Sequence, residues 1–232
     1  MSTRKSRKWR RSLSIHRTRL RRILDSRKKL RAQGKEHTGR YRYLGQAMAE
    51  SKAVIRKLKR LIAREEATPR IIVARDLVWG SPYGPLGKIT KATVHHSAGP
   101  TDRNDEHALE LARSYARLHD REYGSRGLGY HLIFTRAGSI ICARPLDSKG
   151  AHVAGRNTGN VGCLFNGTTG DYPTAKQRRA WEWWLEHGHT KAMPAGYRTP
   201  IAPRRLDVRG HREWPGQSTA CPGTHIGLVP RR

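Results

Sequence analysis

Near the C-terminus the chain reads Gly210-His211-Arg212-Glu213, then a short loop, then Thr219-Ala220-Cys221-Pro222-Gly223, while far upstream a strand-like run carries His95 and His96. Two imidazoles and a thiol that converge on one cation make a chemically specific donor set. Zinc takes nitrogen and sulfur ligands tetrahedrally, and a site with three protein ligands keeps its fourth position for water, as a hydrolytic metal centre needs. His211 and Cys221 stand ten positions apart, too far for one helix face and easily joined by a loop. Strand side chains alternate between faces, so His95 and His96 cannot both reach the same ion.

Elements that could position these groups are visible after Pro69. Ile71-Ile72-Val73-Ala74 and Lys91-Ala92-Thr93-Val94 are short β-like runs, and Glu106 to Leu118 has the spacing of an amphipathic helix. Tyr130 to Phe134 and Ser139 to Ala143 read as strands about a turn at Gly138, Val161 to Phe165 as another strand, and Thr174 to Glu186 as a second helix. Strands alternating with helices predict an α/β domain with a single mixed β-sheet flanked by helices. Pro69 marks its start, since the residue before a proline is pushed out of the helical region. The expected division is 1–68 and 69–232.

Charge is distributed unevenly across that division. Residues 1–70 hold 24 Lys and Arg against 5 Asp and Glu, more than half of the total net charge of +29. Within them Trp9, Leu13, Leu20, Ile23, Leu24 and Leu30 recur at near-helical spacing. A break follows from Gln33-Gly34 to Thr38-Gly39, and a second run carries Leu44, Met48, Val54, Ile55, Leu58, Leu61 and Ile62. Two narrow apolar seams on basic helices predict a helical hairpin or a coiled-coil segment, the latter allowing an oligomer. A basic tail that becomes helical only on a surface is the alternative. Such charge favours polyanions by Coulomb attraction and counterion release, so anionic envelope polymers, a membrane surface and nucleic acid all qualify. No zinc-finger spacing or basic-zipper register is visible, which disfavours specific duplex recognition.

No apolar run approaches the roughly 18 residues of a membrane span, and none near the start forms the roughly 7–15-residue core of a signal peptide. Synthesis in a cytoplasm is therefore expected. Cys142, Cys163 and Cys221 are an odd number on such a chain, which argues against a disulfide framework. Cys142 and Cys163 lie in apolar strand-like runs and are expected to be buried free thiols.

Four blocks resemble the N-acetylmuramoyl-L-alanine amidase family, the zinc-dependent type 2 amidases that include phage endolysins and peptidoglycan recognition proteins. They are Ala92-Thr93-Val94-His95-His96-Ser97-Ala98; Gly129-Tyr130-His131-Leu132-Ile133-Phe134 with Ala137-Gly138-Ser139-Ile140; Gly150-Ala151-His152 with Gly155, Asn157 and Asn160-Val161-Gly162; and the stretch from Gly210 to Gly223. Their order and approximate spacing agree with the family from about Pro69 onward.

The resemblance implies one zinc ion on His95, His211 and Cys221, with Tyr130 donating to the oxyanion formed as the amide is attacked. It implies that Thr219 stands where members carry lysine or threonine, as a catalytic or structural hydroxyl, and that His152, Gly155 and Asn157 line the groove for a muramyl peptide. His96 is then a core residue or a support behind the ligands, and Glu213 a support of the ligand loop or a surface ion pair. The gap from His211 to Cys221 exceeds the family's usual one by about two residues, which Pro215-Gly216 could absorb.

The implied activity is hydrolysis of the bond between N-acetylmuramic acid and L-alanine in bacterial peptidoglycan. For a phage endolysin the enzyme would be made in the host cytoplasm and released onto the wall through a holin; a virion-associated wall enzyme would look similar. Two other readings stay open at this point: a peptidoglycan-binding module that does not cut, and a basic nucleic-acid or membrane binder carrying an inert amidase-like domain.

Overall fold

The computed structural model describes residues 4–230, and of residues 4–6 and 64–67 the backbone alone. The chain divides into two compact units, Met1–Thr68 and Pro69–Arg232.

The first unit is a helical hairpin, α1 (Arg4–Ala32) and α2 (Gly39–Ala67). Gly34, at φ 66°, supplies the left-handed residue at the turn that side chains with a Cβ disfavour. Leu13, Leu58 and Ile62 form a small core with Trp9, Val54 and Ile55 packed against it. Arg27 lies 4.1 Å over the ring of Tyr41 at the turn end. These contacts pair the start of α1 with the end of α2, so the helices run antiparallel. The expected seam is only partly covered, for Leu24 stays exposed, as does Ile15, which lies outside it. No helix among the described residues is long and apolar enough to cross a membrane.

The second unit is a six-stranded mixed sheet flanked by helices. Its strands are β1 (Ile71–Val73), β2 (Lys91–His96), β3 (Leu132–Phe134), β4 (Ile140–Cys142), β5 (Asn160–Phe165) and β6 (Asp207–Gly210), in the order β1-β4-β3-β5-β2-β6. β3 and β4 are antiparallel and the other neighbours are parallel. Parallel strands buried on both faces read as continuous apolar runs, which is the pattern of β5. The strand β6 was not anticipated from sequence.

Helix α3 (Asp105–Tyr123) covers one face and α4 (Ala175–His187) belongs to the core of the other. Asn104 caps α3 by accepting the His107 N–H at 2.8 Å, and Gly124, at φ 57°, ends it. Ala108, Ala112 and Ala116, four apart, give α3 a flat buried side against Ile133, Ile141 and Leu164. Thr174 and Gln177 form a capping box on α4, whose Trp181 and Trp184 pack with Phe134 and Phe165. Ala92 and Val94 of β2 face that aromatic core, which turns Thr93 and His95 to the α3 side. Cys142 and Cys163 are buried free thiols, and burial pushes the Cys142 thiol up to about 12.

Candidate metal centre

His95, His211 and Cys221 come from β2, from the residue after β6, and from the loop beyond it. β2 and β6 are parallel neighbours whose last paired residues are Val94 and Gly210, so each histidine sits one residue past the pairing. One donor atom from each of the three lies within 4.8 Å of the others, the only such group of His, Cys and carboxylate donors among the described residues. His95 Nδ1 is 3.6 Å from Cys221 Sγ, and the His95 and His211 rings are 4.6 Å apart. Nitrogen at about 2.0 Å and sulfur at about 2.3 Å in a tetrahedron lie about 3.5 Å apart, so this edge fits zinc.

The electrostatics suit neutral imidazoles. His95 is fully buried, and desolvation first, then the neighbouring His152 and His211, hold its pKa well below the usual value. His211 is lowered by the same cause, opposed by its bond to Gln217. Burial pushes the Cys221 thiol up to about 11, with the His96 backbone N–H and Arg212 pulling the other way. Such a thiol becomes a thiolate only against a cation, the condition a bound metal creates. The donor set, spacing and protonation states therefore fit a zinc ion.

The ring of Tyr130 stands 4.9 Å from that of His95. Burial keeps its phenol well above the usual range, so it remains an O–H donor. Arg144, fully buried, fixes the loops around it. Its guanidinium donates to the carbonyls of Leu128 at 3.0 Å, Gly80 at 2.8 Å and Ser125 at 2.6 Å, and its backbone N–H to that of Tyr130 at 3.3 Å. A Cβ at Gly129 would collide with the Ala151 carbonyl, so the Gly-Tyr step lets these two segments touch.

The other residues expected at the site differ in what their side chains touch. His152, expected to line a groove, is 7% exposed. Its Nδ1 meets His95 Nε2 at 3.1 Å and its Nε2 meets the Asn160 carbonyl at 3.1 Å, which leaves no nitrogen for a ligand. Asn157 turns its side-chain oxygen to the backbone N–H groups of His152 at 3.0 Å and Val153 at 2.9 Å, so it shapes that loop. Gly155 is exposed at φ 68° with open space beside it. The His96 side chain points away from the donors, bonds Thr169 Oγ1 at 2.8 Å and lies beside His225. Thr219 Oγ1 accepts the Cys221 N–H at 3.1 Å, and a Glu213 carboxylate oxygen accepts the Gly210 N–H at 2.6 Å. Both bonds stiffen the segment that carries His211 and Cys221.

Two participants escaped the sequence reading. His119, on α3, accepts the Gly129 N–H at 3.1 Å on Nδ1 and lies 5.2 Å from Tyr130, its pKa lowered by burial to about 4. Its position seven after Ala112 puts it on the buried side of α3, the signal that could have found it. Gln217 meets His211 Nε2 at 3.2 Å, and only its place in the longer loop hints at a role.

Comparison with known proteins agrees with this geometry. The sequence profile of N-acetylmuramoyl-L-alanine amidase matches residues 85–224, more than half of the chain. The chain belongs to that family. The amidase assignment covers all three donors and Tyr130.

Among solved structures, N-acetylmuramoyl-L-alanine amidase LysC from Clostridium intestinale URNW is 22% identical with a TM-score of 0.50, covering 67% of this chain and 90% of its own. Drosophila PGRP-LB is 23% identical with a TM-score of 0.55, covering 68% and 91%. Bumblebee PGRP-SA is 20% identical with a TM-score of 0.56, also covering 68% and 91%. These likenesses show that the amidase unit shares the fold of both amidases and recognition proteins. No curated protein matches the chain.

Proposed function

We propose that the chain is a zinc-dependent amidase that hydrolyses the bond between N-acetylmuramic acid and L-alanine in bacterial peptidoglycan. The observation that carries this reading is the convergence of His95, His211 and Cys221 beside Tyr130. When bound there, zinc supplies Lewis-acid polarisation of the amide carbonyl and lowers the pKa of water to about 7. The protein's own part is orientation and hydrogen bonding. Tyr130, kept protonated by burial, donates to the oxygen on which negative charge gathers as the carbonyl is attacked, a charge present only near the transition state. Gly155, exposed beside the His152 loop, remains our candidate for contact with the glycopeptide.

A non-cutting wall receptor is the second reading, favoured by the fold likeness to recognition proteins. Retention of Cys221 and Tyr130 speaks for catalysis. Incubation with purified wall tests the choice: chelator-sensitive appearance of new N-terminal alanine supports the amidase, whereas binding without cleavage, or new reducing sugar ends, overturns it. Metal analysis should find about one zinc per chain and its loss in Cys221→Ser.

On the same reading the basic hairpin of α1 and α2 concentrates the enzyme on anionic envelope polymers or a membrane surface, supported by its charge excess. Nucleic acid binding and self-association through these helices are less favoured. The family resemblance to phage endolysins supports synthesis in a host cytoplasm followed by release onto the wall; carriage on a virion is the variant of that proposal.

A further inference from the structure

The metal trio is held from behind by hydrogen bonds whose directions are fixed. A backbone carbonyl can only accept, so His152 must carry its proton on Nε2, 3.1 Å from the Asn160 oxygen. Its Nδ1 then offers a lone pair to His95, 3.1 Å away, and His95 must donate from Nε2. That leaves His95 Nδ1 bare, the atom that faces Cys221 Sγ at 3.6 Å. The chain of constraint is rigidly seated. A Cβ at Gly162 would approach the His152 ring to 2.7 Å, so this glycine in a central strand makes the room the imidazole occupies.

His211 is constrained independently. Gln217 donates from Nε2 to the Ala154 carbonyl at 3.1 Å, which turns its amide oxygen to His211 Nε2 at 3.2 Å. His211 must therefore donate from Nε2, and its bare nitrogen is again Nδ1. Gln217 reaches that position because the longer loop folds on itself. The Trp214 N–H bonds the His211 carbonyl at 3.3 Å, the Gln217 N–H bonds the Trp214 carbonyl at 3.2 Å, and Gly216 takes φ 82° between them. Both constraints end close together in sequence, for Ala154 follows His152 in the connection that leads into β5 and Asn160 is the first residue of that strand.

We propose that Gln217 and His152 are positioning residues that lock His211 and His95 in the Nε2–H tautomer, so that both present Nδ1 to a single cation. This rests on the metal reading above and gives the extra residues of the His211–Cys221 loop a task. Groups behind a ligand commonly matter by 10–100-fold in metal affinity.

The test uses the full chain, with zinc affinity from chelator competition and histidine tautomers from long-range proton–nitrogen NMR. In the metal-free wild type, His95 and His211 should both appear as Nε2–H. Gln217→Leu, at a half-exposed site where the fold should survive, should weaken zinc binding by about 10-fold or more and mix the tautomers of His211. Gln217→Glu, which keeps an acceptor, should recover both. His152→Leu should act on His95 in the same way and His152→Asn, with its acceptor near the Nδ1 position, should restore it. Unchanged affinity and tautomer in Gln217→Leu, or Nδ1–H histidines in the wild type, would overturn the proposal. Failure of the wild type to take up zinc would instead remove the metal reading, while the tautomer measurement would still decide the orientation.

Discussion

Tyr130 offers the sharpest expectation at the level of single residues. Its ring stands 4.9 Å from His95 and its phenol stays protonated, so its hydrogen bond should matter where charge develops rather than where substrate rests. Tyr130→Phe should lower kcat by about 100-fold while KM and zinc content stay near wild type; a change confined to KM would assign the ring to binding. Thiol chemistry gives a second expectation. Cys142, pushed up to about 12 by burial, stays protonated at pH 8, and Cys163 is shifted in the same direction. The Cys221 thiol is pushed up as well, to about 11, but unlike the two fully buried thiols it is partly exposed. Access alone should therefore direct a thiol reagent slowly to Cys221 in metal-free native protein, and to all three cysteines once unfolded.

The candidate donors stood out because His95, His211 and Cys221 sit in recognisable local contexts. The work of His152 was not, because a histidine's role depends on which atoms face its two nitrogens. Here those atoms are a strand carbonyl and another imidazole, brought together only by the fold.

Among elements, the long amphipathic helices were readable and the short strand was not. The spacing of Ala108, Ala112 and Ala116 announces α3, and Thr174 with Gln177 announces the start of α4. β6 reads Asp-Val-Arg-Gly, with Val208 and Gly210 buried and Asp207 and Arg209 only partly so. Four residues with one apolar side chain carry too little periodicity to distinguish a strand from a loop. Its place at the sheet edge against β2 comes from pairing. The helices α1 and α2 give a test of their own. If they draw the enzyme to an anionic wall, binding by the full chain should fall at least about tenfold between about 50 and 200 mM salt. Removal of residues 1–68 should flatten that dependence. A salt response that survives the truncation would move the attraction to the amidase unit.

For the molecule as a whole, stability should depend on acid in a defined direction. Burial lowers His119, His131 and His225 to about 4. These imidazoles are neutral in the folded protein at a pH where the unfolded chain binds protons. Their contribution is present above about 6.5, the ordinary imidazole value, and is lost as pH falls toward 4. His131, fully buried, accounts for about 3 kcal/mol of this. Denaturant unfolding followed from pH 7 to pH 4 should show the loss, and a flat profile would contradict the burial of these rings. Most of the net charge lies in the first compact unit, and Pro69 opens the second.

β6 touches the sheet along one side only, and its four residues pair with β2 as far as Gly210. An ion gripped by His95 and His211, one step beyond that pairing, would act as a cross-link, fastening the outermost strand to its neighbour where the ladder runs out. Chelation should then unfasten the C-terminal border of the sheet before the interior. Amide exchange across Asp207–Gly210 should quicken on metal removal while that of β5 holds, so the ion proposed for the chemistry would also serve as the domain's last rivet.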